Sequence, residues 1–195
     1  MDIVLILISY FIGNISFAYI LTKLKLKEDI RNFGSGNAGT TNVLRVLGKK
    51  YAAMVLIGDV LKGSSAVLLG QLFAQSEITI VLCGLAVIAG HNWPMLMGFR
   101  GGKGIATSIG VFLLYDPMVA SICILLGILI IAATKYVSLG SISGMAIFPV
   151  MTFFIRGIGL SLGFAVIVSL FSIYRHRSNI KRLLSGNENK LGQKK

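Results

Sequence analysis

Acidic side chains are scarce in this chain. Its 195 residues hold 7 Asp and Glu against 19 Lys and Arg, a formal net charge of +12. Histidine and cysteine number two each, with no cysteine pair and no cluster of carboxylates, so zinc and magnesium lack ligands. No metal or cofactor is expected. A Ser-His-Asp triad is not indicated, because the carboxylates among the basic segments are only Glu28, Asp29, Glu188 and the intramembrane Asp59. A His-x4-Asp acid/base pair is absent too. Five residues after His91 stands Leu96, and five after His176 stands Lys181. Cys83 and Cys123 lie within apolar stretches and read as small packed residues, not as a disulfide. Low-complexity segments and defensible repeats are missing. No basic n-region precedes the first apolar stretch, so that stretch reads as a span and not as a cleaved signal.

What is present is hydrophobicity, at 55% of residues. Uncharged runs of spanning length recur from end to end, which excludes a soluble domain of ordinary composition. The chain reads as an all-α, polytopic integral membrane protein with seven transmembrane helices. They are expected at roughly 3–22, 52–73, 78–92, 104–115, 118–134, 139–155 and 158–174, with short or re-entrant polar loops on the cytoplasmic side. Charge placement supports the count. All Lys and Arg except Lys62 and Arg156 then fall on one face, opposite Asp2, Glu77 and Asp116. By the positive-inside rule that face is cytoplasmic and the N-terminus lies outside. Residues 1–184 read as a single transmembrane domain, and 185–195 as a loose, basic polar tail. The positive charge belongs to the membrane face, and no nucleic-acid partner is expected.

The polar centre is Gly90-His91-Asn92-Trp93-Pro94 followed by Phe99-Arg100-Gly101-Gly102-Lys103-Gly104-Ile105-Ala106-Thr107. Only residues 78–115 separate Glu77 from Asp116, and two crossings of about 20 residues each use nearly all of them. The motif must therefore sit at the membrane boundary or dip below it. Glycines there expose backbone N–H groups, and a helix starting near Gly104 turns its positive end on the same place. With Arg100 and Lys103 this suits an anion. It is not a P-loop, because Gly104 stands where a Ser or Thr would hold magnesium. His91 before a proline could equally cap a helix.

A second polar stretch is Asn32-Phe33-Gly34-Ser35-Gly36-Asn37-Ala38-Gly39-Thr40-Thr41-Asn42-Val43-Leu44-Arg45. Gly34, Gly36 and Gly39 match G-x-G-x-x-G, but no strand precedes them, which excludes a dinucleotide fold. Hydroxyls, amides and a helix onset near Thr40, with Arg45 a turn inside, suit a phosphate. An ordinary turn with an N-cap would use the same residue types. Asp59 and Lys62, at helical spacing within a span, are either functional or an ion pair that fixes packing. If the last helix continues, His176 and Asn179 share a face near Arg182. Ser138 and Ser141 complete the polar set. Donors and cations dominate it and bases are few, the signature of anion binding with access to lipid.

Five motifs then resemble one family. Gly34-Ser35-Gly36-Asn37-x-Gly39-x-Thr41-Asn42-x-x-Arg45, Asp59-x-x-Lys62-Gly63, Gly90-His91-x-x-Pro94, Gly101-Gly102-Lys103-Gly104-x-Ala106-Thr107 and Arg175-His176-x-x-Asn179-Ile180-x-Arg182 are similar to those of the bacterial acylphosphate:glycerol-3-phosphate acyltransferases. They occur in order over nearly the whole chain, with Thr40 standing where alanine is expected. The resemblance implies a seven-helix enzyme of the bacterial inner membrane. It would move an acyl group from acyl phosphate to the sn-1 hydroxyl of glycerol 3-phosphate, giving lysophosphatidic acid and phosphate, and would work as a monomer. It implies catalytic roles for Ser35, Arg45, Lys103, His176 and Asn179. Substrate binding would fall to Gly34, Gly36, Asn37, Gly39, Thr41, Asn42, Lys62, His91, Gly101, Gly102, Ser138 and Ser141, with Lys62 and His91 bracing the loops. The rival reading is a transporter of small phosphorylated solutes. Against it, the polar clusters gather on one face and seven spans do not divide into equal repeats.

Overall fold

The computed structural model describes residues 1–192, and Gln193, Lys194 and Lys195 of the expected tail lie outside them. Among the described residues every regular element is helical. They form two compact units, Met1–Tyr115 and a second beginning at Asp116.

The first unit holds α1 (Asp2–Asn14), α2 (Phe17–Leu26), α3 (Thr40–Leu47), α4 (Lys49–Phe73), α5 (Glu77–Asn92) and α6 (Ile105–Tyr115). The second holds α7 (Pro117–Thr134), α8 (Val137–Arg156), α9 (Leu160–Arg175) and α10 (Arg177–Leu184). Among the described residues five segments are long and apolar enough to cross a membrane: Asp2–Leu26, Lys49–Phe73, Glu77–Met97, Pro117–Thr134 and Val137–Arg156. The helices α6 and α9 are apolar but shorter, at 11 and 16 residues.

Lipid tails are as apolar as leucine, so membrane helices associate through close backbone approach and hydrogen bonds. Helix α1 meets α5 where Gly13 faces the Val87 carbonyl and Gly90 faces the Tyr10 carbonyl, leaving no room for a Cβ at either. Helix α4 meets α6 in the same way, Gly63 against the Thr107 carbonyl and Gly110 against the Val60 carbonyl. Ser64 Oγ adds a hydrogen bond to the Gly110 carbonyl at 2.9 Å.

The expected continuous span over 3–22 is broken at Ile15 and Ser16. Apolar sequence runs through the break, yet its polar groups are satisfied one by one. Ser16 Oγ accepts from Tyr19 N and caps α2. Asn14 Nδ2 donates to the Tyr10 carbonyl, and Asn14 Oδ1 accepts from Leu96 N. The Gly13 and Ile15 carbonyls accept from Lys62 Nζ at 3.2 and 2.8 Å. Broken helices within a membrane need such partners, because lipid offers none.

These contacts define a polar layer inside the bundle. Gly63 touching Thr107 sets the first turns of α6 level with the middle of α4, about 20 Å of helix from Lys49. Helix α6 is itself only about 16 Å long, half a bilayer core. The loop ahead of α6 therefore ends beside the middle of α4.

In the second unit α8 packs on α7 and α9. Gly140 faces the Gly127 carbonyl, and Ser169 Oγ donates to the Met145 carbonyl at 2.7 Å. Asp116 caps α7 and takes Arg156 Nε and Nη2 at 2.8 and 2.9 Å. The Arg156 guanidinium holds that carboxyl below the usual carboxylate range. At His176 α9 gives way to α10. Beyond Ser185, within the described residues, Asn187 N donates to the Arg182 carbonyl at 2.8 Å and Leu191 N to the Lys135 carbonyl at 2.7 Å.

Candidate active site

The loop ahead of α3 is clamped by one residue. Asn42 is 1% exposed. Its Oδ1 accepts from Ser35 N at 2.9 Å, and its Nδ2 donates to the Ile30 and Phe33 carbonyls at 3.2 and 3.0 Å. Gly34 and Gly36 take positive φ to make the turn, at 57° and 70°, and Gly34 lies against Asn42 Oδ1. The loop's N–H groups are largely satisfied from within, Gly36 N by the Phe33 carbonyl and Gly39 N by the Asn37 carbonyl. What the loop displays is side chains. Ser35 and Arg45 are exposed, and Asn37 and Thr41 half-buried.

Asn42 spends both amide hydrogens and one oxygen lone pair within this loop, and so fixes the turn that carries Ser35. Asn42→Asp keeps its shape but sets an oxygen against two carbonyls. It should cost about 1–3 kcal/mol for each carbonyl left without a donor. Unfolding in detergent measures this, and wild-type stability in that variant would remove the clamp.

The loop lies against the central motif. Arg31, which the sequence did not single out, binds the Asp29 carboxylate through Nε and Nη2 and donates from Nη1 to the Met97 carbonyl at 2.8 Å. The Arg31 hydrogen bond pulls Asp29 below the usual carboxylate range. The place where Gly102 would carry a Cβ is filled by the His91 ring and lies 2.8 Å from the Ala38 carbonyl. Two stretches far apart in sequence thus meet at Gly102.

Gly101 and Gly102 do not expose their N–H groups as expected. Gly101 N donates to the Asn92 carbonyl at 3.3 Å and Gly102 N to the His91 carbonyl at 3.1 Å, so these glycines fold the chain back onto the end of α5. Lys103 follows, half-buried, and Gly104 at φ 82° opens α6 through its carbonyl, which takes Ser108 N at 2.7 Å. Beside Gly104, the amide of Asn92 is fully buried and makes no hydrogen bond among the described residues; Thr107 and Ser108 hydroxyls share that condition. Sequence reasoning passed over Asn92.

His91, Lys62 and Asp59 form one buried group. Lys62 Nζ lies 2.8 Å from Asp59 Oδ1 and 2.8 Å from His91 Nδ1 while it holds the α1 carbonyls. The ammonium can only donate, so His91 Nδ1 is the acceptor. The group ties the end of α1, the middle of α4 and the end of α5 together.

In the second unit Ser138 is 7% exposed, and its hydroxyl has no partner among the described residues. Ser141 Oγ donates to the Val137 carbonyl at 3.0 Å. His176 is 3% exposed, with Nδ1 2.7 Å from the Ser172 carbonyl. A carbonyl only accepts, so Nδ1 carries a proton and the Ser172 contact fixes the ring's orientation. Asn179 and Arg182 both bind Glu188, at 2.9 and 2.8 Å.

The family model described as Glycerol-3-phosphate acyltransferase matches residues 3–186. The glycerol-3-phosphate acyltransferase of Thermoanaerobacter pseudethanolicus is 52% identical over 188 residues, covering 96% of this chain and 94% of that one. That of Clostridioides difficile is 48% identical over 198 residues, covering 99% and 97%. A solved structure of PlsY (YgiH), an integral membrane glycerol 3-phosphate acyltransferase, in its glycerol 3-phosphate form, is 39% identical with a TM-score of 0.91. It covers 98% of this chain and 96% of that chain. The lysophosphatidic acid form gives 38% and 0.88, over 98% and 95%. The chain belongs to the glycerol-3-phosphate acyltransferase family: it is a multi-pass membrane enzyme of the acyltransferase class. The transporter reading is set aside.

Proposed function

We propose that this enzyme transfers a fatty acyl group from acyl phosphate to the sn-1 hydroxyl of glycerol 3-phosphate, at the cytoplasmic face of a bacterial inner membrane. The products are lysophosphatidic acid and phosphate, which feed phospholipid synthesis. The substrate and product forms of the solved relative support the acceptor. Ser35, Asn37, Arg45, Lys103, His176 and Asn179 hold the two phosphates, and Lys103 and Arg45 stabilise charge on the carbonyl and leaving phosphate.

Transfer is direct. The sn-1 oxygen attacks the acyl carbon, and the bond from that carbon to the phosphate oxygen breaks. The hydroxyl proton passes to a phosphate oxygen, whose second pKa of about 6 suits it near neutral pH. One observation carries this: the first unit's only histidine, His91, is committed to Lys62, so no imidazole of that unit activates Ser35 as a nucleophile. A second reading gives the proton to His176, and the Ser172 contact that orients its buried ring favours it. His176→Gln separates the two. Turnover retained at saturating substrate supports the phosphate as base, and turnover lost with binding intact supports the histidine.

The donor is tested by supplying purified protein and glycerol 3-phosphate with either acyl phosphate or an acyl thioester. Acylation at sn-1 from acyl phosphate alone is expected, and equal use of the thioester would overturn that assignment. We read seven crossings with α6 and α9 as the short ones, N-terminus outside. Within the first unit the Asp2–Thr79 and Glu77–Tyr115 pairs support an acidic end opposite Arg31 and Lys49. A reporter active only in the cytoplasm, fused after Lys195, should give signal; activity of a reporter that works only outside would contradict this orientation.

A further inference from the structure

Arg31 lies outside the motifs that the sequence singled out, yet it joins two of them. It stands on the turn that Asn42 clamps, next to Ile30, whose side chain is fully buried and whose carbonyl takes Asn42 Nδ2 at 3.2 Å. Four residues on, the same turn carries Ser35. Asp29 anchors the guanidinium: Oδ1 and Oδ2 accept from Nε at 3.1 and 3.0 Å, and Oδ2 from Nη2 at 2.7 Å. Asp29 Oδ1 also accepts from Arg31 N at 2.9 Å, so backbone and side chain are held by one carboxylate. That leaves Nη1 for the second stretch. It donates to the Met97 carbonyl at 2.8 Å and to the Arg100 carbonyl at 3.4 Å.

Those two carbonyls bracket a turn that packing does not hold. Gly98 and Phe99 are both left-handed, at φ 63° and 60°. Glycine takes that conformation freely, whereas a phenylalanine in it is strained. Phe99 is 58% exposed, so burial of its ring does not select the turn. Strained backbone persists where its surroundings over-determine it. Here Phe99 N donates to the Pro94 carbonyl at 2.9 Å, and Arg31 takes the carbonyls on either side. Lys103 follows three residues after Arg100, past the two glycines bonded to the end of α5. We propose that Arg31 is a positioning residue for Lys103: it locks the Gly98–Phe99 turn to the clamped loop and so sets where the ammonium meets the phosphates. This rests on the reading of Lys103 as a phosphate contact and deepens it. The spacing between Ser35 and Lys103 is then fixed by a side chain that touches neither substrate.

The test is Arg31→Lys and Arg31→Gln in the full chain, purified in detergent. Lysine keeps the charge at this place but loses the planar fork that spans Asp29 and Met97. Both variants should lower turnover about tenfold or more with both substrates saturating, while the unfolding midpoint moves little. In a Lys103→Ala background the same changes should cost less than about twofold, since Arg31 acts through Lys103. Asp29→Asn keeps the guanidinium but loosens its anchor, and should show the same pattern in smaller measure if the Arg31 variants do not accumulate. Wild-type turnover in folded Arg31→Lys would overturn the proposal, because a point charge would then suffice. So would a lowered midpoint with unchanged turnover of the folded enzyme, which marks a structural tether only. Losses that multiply in the Lys103→Ala background would overturn it as well. Wild-type turnover in Lys103→Ala alone would instead sink the reading of Lys103 itself.

Discussion

Lys62→Met is expected to destabilise the fold by about 3–5 kcal/mol, the cost of breaking a buried ion pair from one side. The loss has two sources. Asp59, at 2% exposure, keeps a charge without its cation. The Gly13 and Ile15 carbonyls, freed where α1 breaks, lose their donor as well. The second source makes the prediction specific. Pairing Lys62→Met with Asp59→Leu removes the orphaned charge, and in an ordinary buried pair that restores most of the stability. Here the double variant should recover only in part, because the break in α1 stays uncapped. Unfolding in mixed micelles compares the three proteins. Full recovery in the double variant would show that Lys62 serves Asp59 alone.

Lys103→Ala should lower turnover about 10²- to 10³-fold, the usual effect of removing one preorganised charged donor. Lys103 sits between a glycine packed under the His91 ring and another at φ 82°, so its backbone is held on both sides. Lys103→Arg should be impaired too, since a planar fork does not replace a compact ammonium. Steady-state rates with both substrates saturating give the comparison. Near-normal turnover of a folded alanine variant would place the chemistry elsewhere.

The sequence made the helices legible because glycine and charge punctuate its apolar runs. The onset of α3 at Thr40 and of α6 at Ile105 follow directly. The break in α1 did not, since its backbone partner Lys62 lies 47 residues beyond Ile15 and no local signal points to it. The polar residues were legible as a set by type, but which of them bond one another was not. Asn42 and Ser35 are equally suited to a phosphate by type, yet Asn42 turns every polar atom inward and Ser35 is exposed. A glycine that bares its N–H and one that admits a neighbouring ring look identical in sequence; the packing of Gly102 beneath His91 decides between them. Glu188 was seen only as one of few carboxylates, because its contacts with Asn179 and Arg182 depend on the chain turning back after α10.

Direct acyl transfer is tested most plainly by adding the substrates in order to the purified protein and following intact mass with product formation. With acyl phosphate alone the account predicts no acyl adduct on Ser35 and little phosphate release. Adding glycerol 3-phosphate should then yield lysophosphatidic acid and phosphate one for one. A Ser35 acyl adduct that forms first and passes its acyl group to glycerol 3-phosphate at the rate of turnover would contradict the account.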